Sequence, residues 1–157
     1  MKGERVVAVG DLRQHEAQRR VDASGLFVAP GFIDIHAHSE LTLLVDPRAA
    51  SKVRQGITSE VSGQCGMSVA PLFGHARDEF AVWAARWELD PNWDSLEDYF
   101  RMLESQGLAL NFGTLVGHGN LRNAAMGSAA RPPRGAELGA MARMLAQSLE
   151  EGALGLS

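Results

Sequence analysis

Short apolar runs alternate with longer amphipathic stretches along most of this chain of 157 residues. Four apolar runs, each bounded by glycine, proline or polar residues, indicate strands at about 32–35, 57–62, 108–116 and 152–157. The stretches between them indicate helices: one within about 41–55, whose start Pro47 delays, two pieces within 75–105, and one at about 136–151. This alternation of strand and helix predicts an α/β fold with a parallel sheet and helical crossovers.

Residues 1–29 follow a different pattern from the rest of the chain. Two short β-rich runs, 6–10 and 26–28, are separated by polar residues. We therefore expect small strands beside the main fold in residues 1–29, and one α/β unit in residues 30–157.

Composition and charge narrow the classes of partner. The chain has 15 Lys and Arg against 19 Asp and Glu, a net charge of −4, and the charges are scattered. Neither a basic stripe for nucleic acid nor an apolar run of 18 residues for a membrane is present. We expect a small-molecule partner, no nucleic acid, no membrane and a cytoplasmic location; the oligomeric state is not indicated.

Candidate chemistry lies where the apolar runs end. His36 and His38 follow the first run, Cys65 lies in a glycine-rich turn after the second, and His118 lies between two glycines after the third. Alternate residues of a strand share a face, and the carboxyl ends of parallel strands meet at one edge of the sheet. These four side chains are therefore expected to converge, although a pair of histidines alone is equally typical of ordinary polar residues at a strand end.

Imidazole nitrogen and thiolate sulfur together favour Zn²⁺ over the oxygen-preferring Mg²⁺ and Ca²⁺. Three candidate ligands around an open edge favour a catalytic zinc, which keeps one position for water. Each residue also has a simpler interpretation: Cys65 as a buried thiol, His118 as an ordered turn residue, and Arg122 as a surface cation rather than a partner for a substrate carboxylate.

Four segments resemble the amidohydrolase superfamily, and more narrowly its D-aminoacylase (N-acyl-D-amino-acid deacylase) branch: VDASGLFVAPGFIDIHAHSE, GITSEVSGQCGMSVAP, LNFGTLVGHGNLR and EGALGLS. The resemblance implies the N-terminal half of a (β/α)₈ barrel preceded by part of a small β-sandwich. It also implies His36, His38 and Cys65 as zinc ligands, with His118 and Arg122 near the substrate. The implied reaction is hydrolysis of an N-acyl-D-amino acid to a D-amino acid and a carboxylate.

The resemblance also implies residues that these 157 do not contain. The family takes further histidine ligands from the fifth and sixth strands and a general-base aspartate from the eighth, so no catalytic residue is expected here. A (β/α)₈ barrel needs at least about 200 residues. We therefore expect a piece of a longer enzyme, truncated at both ends, that is inactive and prone to self-association when isolated.

Two alternatives remain open at this point. One is an amidohydrolase of cyclic amides, similar to dihydroorotase or hydantoinase, against which the Cys65 turn argues. The other is a non-catalytic zinc-binding piece, in which a fourth ligand would close the site. The sequence does not indicate whether one or two metals bind.

Overall fold

The computed structural model describes all 157 residues, which divide into two compact units, Met1–Pro30 and Gly31–Ser157. The division falls one residue after the predicted boundary. That the first unit derives from a flanking β-sandwich stays a prediction.

The two short strands expected in the first unit do not form. Its only β-type pairing is an isolated antiparallel bridge between Lys2 and Arg5. Val9 is 91% exposed and Phe27 is fully exposed, so neither apolar run packs on anything. Isolated short strands are marginal in water unless a face is buried, which explains why the β-rich composition is not sufficient here.

The second unit is built on a three-stranded parallel sheet. Its strands are β1 (Phe32–Asp34), β2 (Ile57–Ser62) and β3 (Asn111–Thr114), in the order β1-β2-β3. A parallel bridge between Val116 and Leu156 extends the pairing to the segment predicted as a fourth strand. The predicted α/β class with a parallel sheet is confirmed.

Six α-helices and one 3₁₀ turn connect and cover the strands. They are α1 (Glu40–Val45), α2 (Ala50–Val53), α3 (His75–Ala84) with the 3₁₀ turn Ala85–Trp87, α4 (Leu96–Gln106), α5 (His118–Met126) and α6 (Gly135–Glu150). The start of α4 follows the prediction, because the Ser95 hydroxyl accepts the Asp98 N–H at 3.1 Å. No helix combines the length and the apolar composition needed to cross a membrane.

One helix prediction is wrong, and one helix was not predicted. The single helix expected within 41–55, with a start delayed by Pro47, is a pair: α1 ends before Pro47 and α2 begins after it, because proline cannot continue a helix. Helix α5 was not predicted, because its opening residues, His118, Gly119 and Asn120, have low helix propensity.

The main apolar core lies between α1, α4 and the segment that follows β2. Leu41, Leu72, Leu96 and Tyr99 are at most 1% exposed. Trp93 is also buried, and its indole N–H donates to a backbone oxygen at 2.8 Å. This core does not include the residues at the carboxyl ends of β1 and β2.

Candidate metal centre

The three predicted zinc ligands come together at the carboxyl edge of β1 and β2. One ligand atom from each of His36, His38 and Cys65 lies within 4.8 Å of the other two. Cys65 Sγ is 3.3 Å from His36 Nε2, and the two imidazole centroids are 5.6 Å apart. All three side chains are exposed, so solvent and ligands can reach them.

A bend, rather than a continuing strand, brings the histidines to this edge. Strand β1 ends at Asp34, whose carboxylate accepts the His36 N–H at 3.1 Å. The Ala37 N–H still bonds to β2, and the Gln64 amide donates to the Ile35 carbonyl at 2.8 Å. The histidines therefore face Cys65 because these local bonds fold the chain, not because they alternate along one strand.

Cys65 occupies the tight turn that the sequence predicts. Gly63 and Gly66 have φ angles of +73° and +77°, which glycine adopts without strain, and Cys65 itself has a φ of +57°. A non-glycine residue in this region is disfavoured by roughly 1–2 kcal/mol. Contacts from elsewhere in the fold must offset that cost.

The distance between the Cys65 and His36 donors is compatible with a shared zinc ion. Zinc–nitrogen and zinc–sulfur bonds of about 2.1 and 2.3 Å place two tetrahedral ligands about 3.6 Å apart, close to the observed 3.3 Å between Cys65 and His36. Three protein donors leave a fourth position for water or substrate, as in catalytic zinc sites.

His118 and Arg122 do not join this group. His118 is the exposed first residue of α5, and its N–H donates to the Ser157 carbonyl at 2.9 Å. The Arg122 guanidinium donates to the carbonyls of Ala129 and Arg131 at 2.5 and 2.8 Å. Arg122 therefore holds the loop after α5 in this structure, and the substrate contacts of both residues stay predictions.

Comparison with known proteins shows which family this chain belongs to. The sequence profile of the amidohydrolase family matches residues 19–157. The chain belongs to the amidohydrolase family. It is 45% identical over 159 residues to an N-acyl-D-glutamate deacylase, and 37% identical over 157 residues to a D-aminoacylase, both of Alcaligenes xylosoxydans xylosoxydans. Each match covers 100% of this chain and 32% of the relative.

Solved structures show the same likeness. A D-aminoacylase with a binuclear metal centre superposes with a TM-score of 0.82 at 35% identity, over 98% of this chain and 32% of that one. An N-acyl-D-glutamate deacylase from Bordetella bronchiseptica, complexed with zinc and a phosphonate inhibitor, gives 0.78 at 41% identity, over 95% and 31%. The predicted resemblance is confirmed, and this amidohydrolase chain spans about a third (32%) of the length of the curated relatives it matches.

The sequence did not indicate two buried carboxylates near the candidate metal centre, those of Glu40 and Glu60. Glu40 is 2% exposed, and its Oε1 accepts the Gly63 N–H at 2.8 Å. Burial raises the pKa of Glu40, although the Gly63 N–H and the nearby His38 act in the opposite direction. Glu40 thus links the helix after the histidines to the turn before Cys65. The sequence feature that could have indicated its burial is that Glu40 directly precedes the apolar residues of α1.

The second missed carboxylate is that of Glu60 on β2, which shares the Lys52 ammonium of α2 with Asp34 of β1. The Lys52 ammonium contacts the Asp34 carboxylate and lies 3.6 Å from Oε2 of Glu60, which is 1% exposed. Burial lowers the pKa of Lys52, but the hydrogen bond to Asp34 and the charge of Glu60 outweigh this and raise it overall. The hydrogen bond from Lys52 holds the pKa of Asp34 below its ordinary value. Asp34 is therefore a charged acceptor for the backbone of His36.

Proposed function

We propose that this chain forms the metal-binding, amino-terminal part of a zinc-dependent N-acyl-D-amino-acid deacylase. The reaction is hydrolysis of the amide bond of an N-acyl-D-amino acid, which yields a D-amino acid and a carboxylate. The convergence of His36, His38 and Cys65 on one accessible point carries the proposal. The deacylase relatives, which match the whole chain, support the choice of substrate class.

In this proposal the parallel sheet is the first half of a (β/α)₈ barrel. The β1-β2-β3 order, the bridge that continues it to Leu156, and the superposition on D-aminoacylase all support it. Ile33 and Leu154 are 64% and 61% exposed, so the sheet leaves apolar side chains that further barrel elements would cover. Residues 1–29 would belong to a flanking β-sandwich, and their exposed valines and phenylalanine fit that assignment.

Zinc is the proposed metal because two imidazoles and one thiol form its preferred donor set. A zinc bound here would supply Lewis acidity toward the acyl carbonyl and a water of lowered pKa. The residues of this chain hold and orient: Asp34 accepts the His36 N–H, and the tight turn presents Cys65. The proton-transferring aspartate is proposed to come from a later strand of the longer enzyme.

His118 and Arg122 are the proposed contacts for substrate. His118 is exposed at the start of α5, next to the glycine whose N–H bonds to the Cys65 turn. Arg122 would have to leave the carbonyls of Ala129 and Arg131 to pair with a substrate carboxylate. His118 is consequently the better supported of the two.

The test compares a ligand variant with a matched control in the intact enzyme. Cys65→Ala and His36→Ala are expected to lose bound zinc and deacylation of N-acetyl-D-glutamate or N-acetyl-D-methionine. His75→Ala, which removes a histidine paired with Glu79 at 3.2 Å outside the site, should retain both. Full zinc content and turnover in Cys65→Ala would overturn the proposal. Hydrolysis of hydantoin or dihydroorotate in place of the N-acyl-D-amino acids would favour the cyclic-amide alternative.

A further inference from the structure

The turn that carries Cys65 is held by elements distant in sequence. The Gly66 carbonyl accepts the Gly119 N–H at 2.9 Å from the first turn of α5. The Gly66 N–H donates to the Ser157 hydroxyl at 3.1 Å, from the segment that pairs beside β3. Both backbone groups of the residue next to Cys65 are therefore bound from outside the turn.

The residues just after this turn are bound to α5 as well. Asn120 Oδ1 accepts the Ser68 N–H at 2.8 Å, and its Nδ2 donates to the Ser68 carbonyl at 2.7 Å. The Ser68 hydroxyl accepts the Gly117 N–H at 2.9 Å and donates to the Ala70 carbonyl at 2.6 Å. Ser68 is only 4% exposed, so these bonds do not compete with bulk water.

Steric packing allows the turn little movement toward the helix. A Cβ at Gly117 would lie 2.4 Å from the Gly66 oxygen, and one at Gly119 would lie 2.6 Å from the same atom. Both distances are below any normal contact, so the backbones approach this closely only because both positions are glycine. The Cys65 turn is therefore fixed by packing and by hydrogen bonds together.

The same contacts explain how α5 begins without a side-chain cap. The first N–H groups of a helix have no partner within the helix. Here the N–H groups of Gly117, His118 and Gly119 bond to Ser68 Oγ, the Ser157 carbonyl and the Gly66 carbonyl. The start of α5 and the Cys65 turn thus satisfy each other's polar groups.

We infer that Asn120 and Ser157 are positioning residues that hold the Cys65 sulfur at the candidate metal centre formed with His36 and His38. This inference rests on the proposed function, because it matters for metal binding only if Cys65 is a ligand. The Cys65 sulfur has a polar contact only with His36, which is itself an exposed candidate ligand, so the restraint on the Cys65 backbone, with its φ of +57°, comes from the neighbouring residues. The two positioning residues reach the turn through Gly66 and Ser68 and supply that restraint.

The experiment measures zinc affinity of the intact enzyme by competition with a chromophoric chelator, and the sulfur-to-metal charge-transfer band with Cd²⁺. Asn120→Ala is expected to weaken zinc binding about 10-fold to 100-fold, the range for partners that orient metal ligands. Ser157→Ala should act in the same direction with a smaller effect, and Ser157→Thr, which keeps the hydroxyl, should restore affinity.

Asn123→Ala is the matched control. Asn123 lies on the same helix and lines the same cavity of about 240 Å³ as Asn120, but its amide bonds to Glu79 rather than to the Cys65 turn. It is expected to bind zinc as the wild type does. An equal loss in both asparagine variants would show a general effect of the helix and overturn the inference.

A second measurement needs no metal. Cys65 is the only cysteine among these 157 residues, so its alkylation by iodoacetamide in the metal-free enzyme, located by peptide mass spectrometry, reports on this turn. Faster alkylation is expected in Asn120→Ala and Ser157→Ala. If both variants keep the zinc affinity and the alkylation rate of the wild type, the inference is refuted. If Cys65→Ala leaves zinc affinity unchanged, the proposed function fails. The alkylation rates would still show whether Asn120 and Ser157 hold the Cys65 turn. If Asn120→Ala does not fold, the Ser157 pair decides.

Discussion

The most informative single perturbation is Lys52→Met. Lys52 is the cation that lies between the carboxylates of Asp34 and Glu60, and its side chain is 21% exposed. Methionine keeps much of the aliphatic length but removes the charge. The Glu60 side chain is fully buried, so it would be left as a charge whose remaining partners are the hydroxyls of Ser39 and Ser62.

The expected cost follows from that burial. Removing one partner of a buried ion pair costs about 3–5 kcal/mol, because the remaining charge loses its compensation. Glu60 is separated from Lys52 by 3.6 Å and Asp34 is 25% exposed, so we expect the lower end, about 3 kcal/mol in the free energy of unfolding. Adding Glu60→Gln should recover about 1.5 kcal/mol, since a neutral amide needs no counter-charge.

The assay is urea unfolding of the intact protein followed by tryptophan fluorescence. Arg54→Met is the control, since it removes an exposed cation two residues from Lys52. The expected order of stability is Arg54→Met, then the double variant, then Lys52→Met. If Lys52→Met matches Arg54→Met to within about 0.5 kcal/mol, the buried-charge reasoning is wrong.

Three further perturbations test other parts of the fold. Tyr99→Phe should lower the free energy of unfolding by about 1 kcal/mol, because the buried hydroxyl donates to the Glu40 carbonyl at 2.9 Å; an unchanged urea midpoint would contradict this. The hydrogen bond from Arg131 lowers the pKa of Glu137 from 4.5 to about 2. Its ionised form therefore stabilises the fold above pH 4.5, and this contribution is lost as the pH falls toward 2. The wild-type urea midpoint should decline across that interval more steeply than that of Glu137→Gln, and parallel declines would exclude the effect. Leu103→Ala, at a position 2% exposed, should cost about 2–5 kcal/mol by the same assay, and a loss below 1 kcal/mol would show that the core refills the space.

Several elements were predictable because their signals are local. Strand β2 has the predicted bounds, Ile57–Ser62, because a short β-rich run between Gly56 and Gly63 leaves little choice. Helix α4 begins at its serine cap and ends at glycine as expected. Helix α5 was not predictable in this way, since it is stabilised by bonds to the Cys65 turn and by the buried Leu121.

The residues of the candidate site were likewise predictable only in part. The sequence by itself indicated the parallel α/β class and the candidate donors His36, His38 and Cys65, because strand ends and ligand chemistry are visible in adjacent residues. Only the tertiary structure revealed the contacts of Lys52 and Asn120, because their partners are 8 to 52 positions away in the sequence. Periodicity reports which face a residue occupies within its own element. The partner across the fold depends on how the elements pack, and the sequence pattern of a single element carries no information on that.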